Sequence, residues 1–534
     1  MRLDELIASG APGASADVEI TGLSYDSRTV GSGDLLFCVR GFSDDGHEFA
    51  ARGVESGAAA LVVERPLGLD VPEVVVESVR AAMGPIAVRF YGDPSAGLRV
   101  VGVTGTNGKT TTAYLVRALF EAGGEQCGLE GTVKAVVGGV ERPVVRTTPE
   151  AIDLQADLRA MLDGGDRACG MEVSSHALSL GRAEGIHFAA AIFTNISRDH
   201  LDFHETMEDY FQAKRRMFVP SPPTQHPCPV GAGDGAAESP PVSEPTSAPS
   251  PGVSVVNLGD PYGRRLAAEI DGALTFAVET EGADYRATQV RSTFQECSFR
   301  LHTPAGEREV VLGMPGRFNV ANALGALAAV HALGGDLDVL VAALERGVRV
   351  PGRFEPVQEG QDFAVLVDYA HTPDSLENVL EAARQLVGSG DPGEGRVLCV
   401  FGAGGDRDRG KRPLMGEIAA RIADVTVVTS DNPRSEDPEQ IIAEIMAGVA
   451  RVQRGEQPGP ASPEAPAVRS IADRRAAIAE AIARARPGDV VVIAGKGHEQ
   501  GQELAGGRKV PFDDAAVAGE ALRARRVAAA KATA

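Results

Sequence analysis

Short apolar runs closed by Gly- or Asp-rich turns recur along this chain, and most are followed by a stretch of helical spacing. From residue 1 to about 97, runs such as Leu35–Val39 and Ala58–Val63 alternate with turn residues and predict a small α/β unit. From 98 to 350, the runs Arg99–Val103, Gly170–Val173 and Ala189–Phe193 predict strands, and Asn319–Leu333 reads as a helix. Alternation at this spacing argues for a largely parallel sheet with crossover helices. From 351 onward, Ala364–Val367, Arg396–Phe401, Val425–Thr429 and Asp489–Ala494 predict a second doubly wound unit, with its ligand crevice at the carboxyl ends of the strands. Asp437-Pro438 has the form of a helix start that pins the loop before it. Pro220–Pro251, rich in Pro, Ser, Gly and Ala without Lys or Arg, is expected to be a disordered insertion, and Gln457–Pro466 a shorter surface loop.

Bulk composition narrows the function classes. A chain of 534 residues suggests roughly three domains of ~100–200 residues each. A net charge of −22 argues against wrapping nucleic acid or lying on an anionic membrane. No apolar run approaches the ~18 residues of a membrane span. Cys38, Cys127, Cys169, Cys228, Cys297 and Cys399 are far apart and form no Cys-x-x-Cys, which fits reduced thiols in the cytoplasm.

The sharpest local signal is Gly105-Thr106-Asn107-Gly108-Lys109-Thr110-Thr111-Thr112, set between a predicted strand and a predicted helix. Glycines that turn backbone N–H groups toward an anion, at a helix N-terminus, make a phosphate site. Lys109 is expected to reach the terminal phosphates and the Thr110 hydroxyl to join a Mg²⁺ shell. Glu172, at the end of a predicted strand, is a carboxylate able to hold Mg²⁺ opposite that loop. His200 and His204 are four residues apart, but no HExxH pattern or cysteine supports zinc. In the last unit Asp368–Pro373, Gly402–Arg412, Asp431–Arg434 and Gly495–Glu499 each follow a predicted strand. Arg407, Arg409, Lys411, Arg412, Arg434 and Lys496 are expected to make that crevice strongly basic, suited to anionic substrates.

Together these motifs resemble the ATP-dependent Mur ligases of peptidoglycan synthesis, in particular those that add the third peptide residue. Gly105–Thr112 and Gly316-Arg317-Phe318-Asn319-x-x-Asn322 belong to the wider superfamily, which includes folylpolyglutamate synthetases. Asp26–Arg28, Thr147–Pro149, Met171–His176, Asp199–Asp202 and Asp431–Arg434 belong to the narrower group. The resemblance implies an N-terminal UDP-binding domain (1–97), a central P-loop-type ATPase domain (98–350) and a C-terminal Rossmann-like amino-acid domain (351–534). It implies that a D-Glu γ-carboxylate is activated as an acyl phosphate and attacked by an amine. UDP-MurNAc-L-Ala-D-Glu and meso-diaminopimelate are the implied substrates, with lysine or ornithine as alternatives, in a cytoplasmic monomer. A catalytically inactive nucleotide-binding scaffold is the reading from another class.

Residue by residue, the resemblance assigns Lys109, Glu172, His200 and Lys214 to catalysis. Thr110 and Glu172 would hold one Mg²⁺, and His200 and Lys214 a second, Lys214 as a CO₂-derived carbamate. Gly105, Thr106, Asn107, Gly108, Thr111, Asn319 and Arg353 would contact ATP. Tyr25, Ser27, Phe42, Ser43 and Asp44 would face the uridine, and Thr147, Thr148, Ser174 and Arg182 the muramoyl dipeptide. Arg407, Asp431, Asn432, Pro433, Arg434, Gly495 and Glu499 would form the amino-acid pocket. Arg434 is expected to pair with the distal carboxylate of diaminopimelate and to be left unpaired by lysine. Three positions depart from the family pattern: Leu180 replaces a polar residue, Gly259 an Asp, and Glu130 an apolar residue.

Overall fold

Among the described residues three large sheets follow one another, with a two-stranded antiparallel pair, Gly501–Leu504 and Arg508–Pro511, after the third. The structure, a computed structural model, describes residues 1–7, 17–41, 44–201, 203–219, 250–388, 395–455 and 467–533. Nearly all of the expected 220–251 insertion, and all of the 457–466 loop, lie outside the described residues.

The first sheet holds four parallel strands in sequence order: β1 (Gly22–Ser24), β2 (Asp34–Phe37), β3 (Ala60–Val63) and β4 (Glu73–Val75). Helix Val79–Tyr91, capped by the Ser78 hydroxyl, packs against helix Ala151–Asp163 of the next unit. Polar contacts across this junction include the Tyr25 hydroxyl donating to Asp153 at 2.5 Å and Arg80 to Glu150 at 3.1 Å.

Eleven strands build the second sheet: β5 (Arg99–Thr104), β6 (Cys127–Glu130), β7 (Ala135–Val137), β8 (Val140–Arg142), β9 (Ala168–Glu172), β10 (Phe188–Phe193), β11 (Val253–Asn257), β12 (Leu274–Val278), β13 (Tyr285–Ser292), β14 (Cys297–Thr303) and β15 (Gly306–Leu312). Their spatial order is β15-β14-β13-β12-β11-β10-β5-β9-β6-β7-β8. The expected parallel arrangement holds from β13 to β6. The strands at both edges are antiparallel, which the sequence reading did not anticipate. β13 alternates buried and partly exposed positions along much of its length, the pattern of a sheet with one wet face, whereas β5 is buried from Val100 to Thr104. The strand order reverses around β5, so the crevice at its carboxyl end receives the loop Gly105–Gly108.

The third sheet comprises β16 (Glu355–Pro356), β17 (Ala364–Asp368), β18 (Val397–Phe401), β19 (Val425–Val428), β20 (Ala467–Ser470) and β21 (Val490–Ala494), in the order β16-β17-β21-β18-β19-β20, parallel except for β16. Helix Pro438–Gln453 begins as expected, with Asp437 accepting from the Glu439 N–H at 3.0 Å.

Glu130 ends β6 with 1% exposure, and among the described residues neither carboxyl oxygen has a hydrogen-bond partner. Two residues earlier, a Cβ on Gly128 would lie 2.5 Å from Met161, so this face of β6 meets helix Ala151–Asp163. That helix contributes Gln155, also 1% exposed with neither amide atom partnered. Burial pushes the Glu130 carboxyl up to about 8 from 4.5. A carboxyl raised on folding stabilises most below its unfolded value, and the benefit drains as pH rises toward about 8. Glu130→Leu is therefore expected to raise the thermal midpoint at pH 8, by an amount on the order of 4 kcal/mol in stability, with a smaller gain at pH 5. Unfolding followed by circular dichroism at both pH values tests this; an equal shift at the two would refute the titration argument.

Candidate active site

Helix Lys109–Ala122 starts directly after Gly108, whose backbone is left-handed (φ 88°). A Cβ there would lie 2.3 Å from Asn322 Oδ1, so glycine is needed both for conformation and for close approach. Asn322 donates to Asn319 Oδ1 at 3.1 Å, and Asn319 donates to the Pro315 carbonyl at 2.8 Å. Helix Arg317–Ala332 is thereby registered against the phosphate loop. Asn107 is tied to Asn195, whose Oδ1 accepts its N–H at 3.0 Å.

The Lys109 side chain folds back onto its own loop at the cleft wall. Its Nζ donates to the Gly105 and Thr106 carbonyls at 2.9 and 2.8 Å, and burial lowers its pKa. Lys214, on helix Met207–Arg215, is 1% exposed, and its Nζ donates to the same Gly105 carbonyl at 2.9 Å. Its Nζ stands 4.6 Å from the Tyr210 ring centroid, and the Tyr210 hydroxyl lies 3.1 Å from Thr106 Oγ1. Burial first, then the charge of Lys109, hold the Lys214 pKa well below the usual lysine value.

Glu172, 1% exposed at the end of β9, is the hub of the site. Its Oε2 accepts the Thr110 hydroxyl at 3.0 Å and the Thr132 hydroxyl at 3.0 Å; its Oε1 accepts the Thr132 N–H at 2.7 Å. Thr148 donates its hydroxyl to the Glu172 backbone carbonyl at 2.9 Å and accepts the Ser174 N–H at 3.2 Å. Ser174 Oγ caps helix Ser175–Ser179. Thr147 Oγ1 lies 3.1 Å from Thr132 Oγ1. Arg182 pairs with Glu150 at 2.9 Å, and Glu150 also meets Arg80 and Arg146. His200, at φ 54°, stacks edge-on with His176 at 4.8 Å and lies 3.5 Å from Asp199.

These residues open on one cleft of about 1350 Å³, walled by the second and third sheets. Thr106–Thr111, Thr147, Thr148, Glu172, Ser174, Arg182, His200 and Lys214 line one side. Arg353, Tyr369, His371 and His498 line the other, with Arg353 laid over the Tyr369 ring at 4.8 Å. Among the described residues, Arg353 Nε has no hydrogen-bond partner. A second cavity of about 510 Å³ is lined by Tyr25, Ser27, Asp44 and the arginines Arg28, Arg52, Arg80 and Arg146. Phe42 and Ser43, and Asp202 of the Asp199–Asp202 motif, lie outside the described residues.

In the third unit, Asp431, Asn432, Lys496 and Glu499 form one cluster. The fully buried Lys496 ammonium donates to Asn432 Oδ1 at 2.8 Å, Glu499 Oε2 at 3.0 Å and Asp431 Oδ1 at 3.3 Å. Gly495 (φ 118°) precedes it, where a side chain would face Asp431 and Arg474. These residues do not line the large cleft; His498 joins the two regions.

The crevice is not the open basic patch expected from the sequence. Arg412 is fully buried against Glu436 and Glu444, Arg409 pairs with Glu436, and Lys411 donates to the His371 carbonyl. Arg434 is paired with Glu503 at 3.0 Å and donates to the Gly405 carbonyl at 2.8 Å, so it is not left unpaired without a ligand. Among the described residues, Arg407 donates to the adjacent Asp406 carbonyl and to no acid. Burying cations demands partners, and acids distant in sequence supply them. Beside the helix start at Asp437, side chains distant in sequence hold the Asp431–Arg434 loop: Glu503 accepts from Arg434, Lys496 donates to Asp431 and Asn432, and Gln502 donates to the Asp431 carbonyl. Sequence reading also missed Thr132 and Glu150, which carry no motif of their own.

The donor set fits Mg²⁺ chemically: hydroxyl and carboxylate oxygens converge from Thr110 and Glu172 beside a loop built for phosphate. Among the described residues, no three His, Cys, Asp or Glu side chains are grouped to bind a metal unaided. None of the described helices is long and apolar enough to cross a membrane. The five described cysteines are free and buried.

Comparison with known proteins gives a consistent result. Residues 19–91 match the Mur ligase family, catalytic domain; 103–227 and 246–330 match the Mur ligase middle domain; 352–497 match the Mur ligase, glutamate ligase domain. The UDP-N-acetylmuramoyl-L-alanyl-D-glutamate--2,6-diaminopimelate ligase of Geobacillus kaustophilus is 45% identical over 95% of this chain and 96% of its own. The ligase of the same name from Streptomyces coelicolor is 42% identical over 98% and 96%. A solved structure of a ligase of that name superposes with a TM-score of 0.65 at 31% identity, covering 98% of this chain and 99% of that one. The ADP complex of the MurF ligase from Thermotoga maritima shares the fold, with a TM-score of 0.60 at 18% identity over 96% and 98%. With matches in all three units and relatives aligned almost end to end, the chain belongs to the Mur ligase family.

Proposed function

We propose that this chain joins meso-diaminopimelate to the D-Glu γ-carboxyl of UDP-MurNAc-L-Ala-D-Glu, consuming ATP and releasing ADP and phosphate. The observation that carries the reading is the position of Glu172. It takes the Thr110 hydroxyl from the phosphate loop, while its backbone carbonyl takes the Thr148 hydroxyl from the loop assigned to the dipeptide. A terminal phosphate on one loop then lies beside a carboxylate on the other. The names of full-length relatives support the substrate class. The first unit takes the UDP moiety in the cavity beside Tyr25, Ser27 and Asp44; the second takes ATP, and the third the amino acid. Both cavities are lined from one chain, so a monomer suffices, and the dependence on ATP points to the cytoplasm.

A carboxylate is a poor acyl donor at neutral pH. Attack on the γ-phosphorus of ATP expels ADP and gives an acyl phosphate; the amine then attacks the carbonyl, and phosphate leaves. The Gly105–Thr111 loop orients the triphosphate. Lys109, released from its own carbonyls, offsets phosphate charge, and Arg353 adds positive charge from the opposite wall. Thr147, Thr148, Ser174 and Arg182 hold the dipeptide, with Asn319 behind the nucleotide loop. One Mg²⁺ held by Thr110 and Glu172, and a second held by His200 and a carbamate on Lys214, would reduce the repulsion between carboxylate and triphosphate.

Phosphate release with ATP, Mg²⁺ and UDP-MurNAc-L-Ala-D-Glu tests the reading, with the amino acid varied. Turnover with meso-diaminopimelate, and at least about 100-fold less with L-lysine or L-ornithine, is expected. Equal turnover with lysine would refute the specificity, and no turnover with any of the three would refute the function.

A further inference from the structure

Thr132 belongs to none of the recognised motifs, yet it stands between the two loops whose cooperation the reaction requires. Its N–H and hydroxyl grip both oxygens of Glu172, at 2.7 and 3.0 Å, and its Oγ1 lies 3.1 Å from Thr147 Oγ1. The proton directions follow from the chemistry of the three groups. An ionised carboxylate only accepts, so the single Thr132 hydroxyl proton is committed to Glu172. Thr132 Oγ1 must then accept from Thr147. The result is a directed chain, Thr147 to Thr132 to Glu172, running from the substrate loop to the carboxylate that also receives Thr110 from the phosphate loop.

We propose that Thr132 is a positioning residue that couples occupation of the dipeptide site to the readiness of Glu172 for the metal–nucleotide complex. The inference rests on the proposed function for the assignment of Thr147 to the dipeptide. A substrate oxygen that accepts the Thr147 proton withdraws it from Thr132. Hydrogen bonds in a chain polarise one another, so the Thr132 hydroxyl then donates more weakly to Glu172 Oε2. That frees electron density on Oε2, which is already shared between two hydroxyls, for a cation. Oε1 stays fixed by the backbone N–H, so Glu172 does not swing away. Binding of the UDP substrate therefore tightens binding of the nucleotide with its metal, and by linkage the reverse.

The test is calorimetric and needs no turnover: affinity for Mg²⁺ with a non-hydrolysable ATP analogue, with and without saturating UDP-MurNAc-L-Ala-D-Glu. In the unaltered protein the UDP substrate is expected to tighten nucleotide binding about tenfold. In Thr132→Val that enhancement falls to below about twofold, while affinity without the UDP substrate changes by less than about threefold, because the backbone N–H remains. Thr132→Ser restores the enhancement and also controls for folding. The inference is overturned if Thr132→Val keeps the enhancement, if its substrate-free affinity collapses instead, or if the unaltered protein shows no enhancement. The function fails by a different sign, absence of turnover with every amino acid.

Discussion

Replacing Lys214 with alanine is expected to lower the rate of phosphate release on the order of 10³-fold while leaving the fold intact. Two lysines cannot comfortably share the Gly105 carbonyl as ammonium groups, yet Lys109 and Lys214 both donate to it at 2.9 Å. Lys214 is also sealed against the Tyr210 ring. Burial and the neighbouring charge favour its neutral amine. A neutral amine has the lone pair that bonds to the carbon of CO₂; with loss of one proton the product is a carbamate anion. The change replaces a cation that would repel a metal–triphosphate complex with an anion that would hold it. Lys214→Arg separates this from a simple need for positive charge, since guanidinium keeps its proton at any working pH and does not hold CO₂. Both variants should be equally inactive and still bind nucleotide, and the unaltered enzyme stripped of CO₂ in mild acid should recover with bicarbonate. Activity of Lys214→Arg within about threefold of the unaltered chain would remove the carbamate from the mechanism.

The parts legible in the sequence were those encoded locally. β17 and β21 are buried almost throughout and read as unbroken apolar runs closed by Asp368 and Gly495. The phosphate loop is a contiguous motif, and Glu172 is marked by its place at a strand end. The antiparallel edges were missed because β14 and β15 carry a two-residue alternation that is weak in any one short segment. The state of the crevice cations was missed for another reason. Which acid neutralises which base depends on contacts across long separations: Arg434 meets Glu503 and Arg412 meets Glu444 only once the sheet is wound. Thr132 escaped notice in the same way, because its meaning lies in Glu172, forty residues on.

The Arg434–Glu503 pair changes what selectivity should look like. If Arg434 were stranded without a distal carboxylate, lysine would pay the full cost of a buried unpaired cation. Instead its Nε is held by Glu503, its Nη1 by the Gly405 carbonyl, and its backbone N–H by the Glu503 carbonyl. The guanidinium is pre-aimed, and the side of the fork not used by Glu503 is what a distal carboxylate would engage. Glu499, already shared by Lys496 and Asn432, supplies the counter-charge for the distal ammonium. Arg434→Ala is therefore expected to lower kcat/KM for meso-diaminopimelate by about 10²–10³-fold, chiefly through KM, without making lysine a good substrate. Arg434→Lys should recover little, because an ammonium can hold neither Glu503 and Gly405 together nor a carboxylate in two-point contact. Glu503→Gln should cost less, about tenfold, because it loosens the aim but leaves the charge. Phosphate release against amino-acid concentration for the three variants separates these effects. If Arg434→Ala keeps its preference for meso-diaminopimelate over lysine, the distal carboxylate is read elsewhere, and the cluster of Asp431, Asn432, Lys496 and Glu499 becomes the place to look.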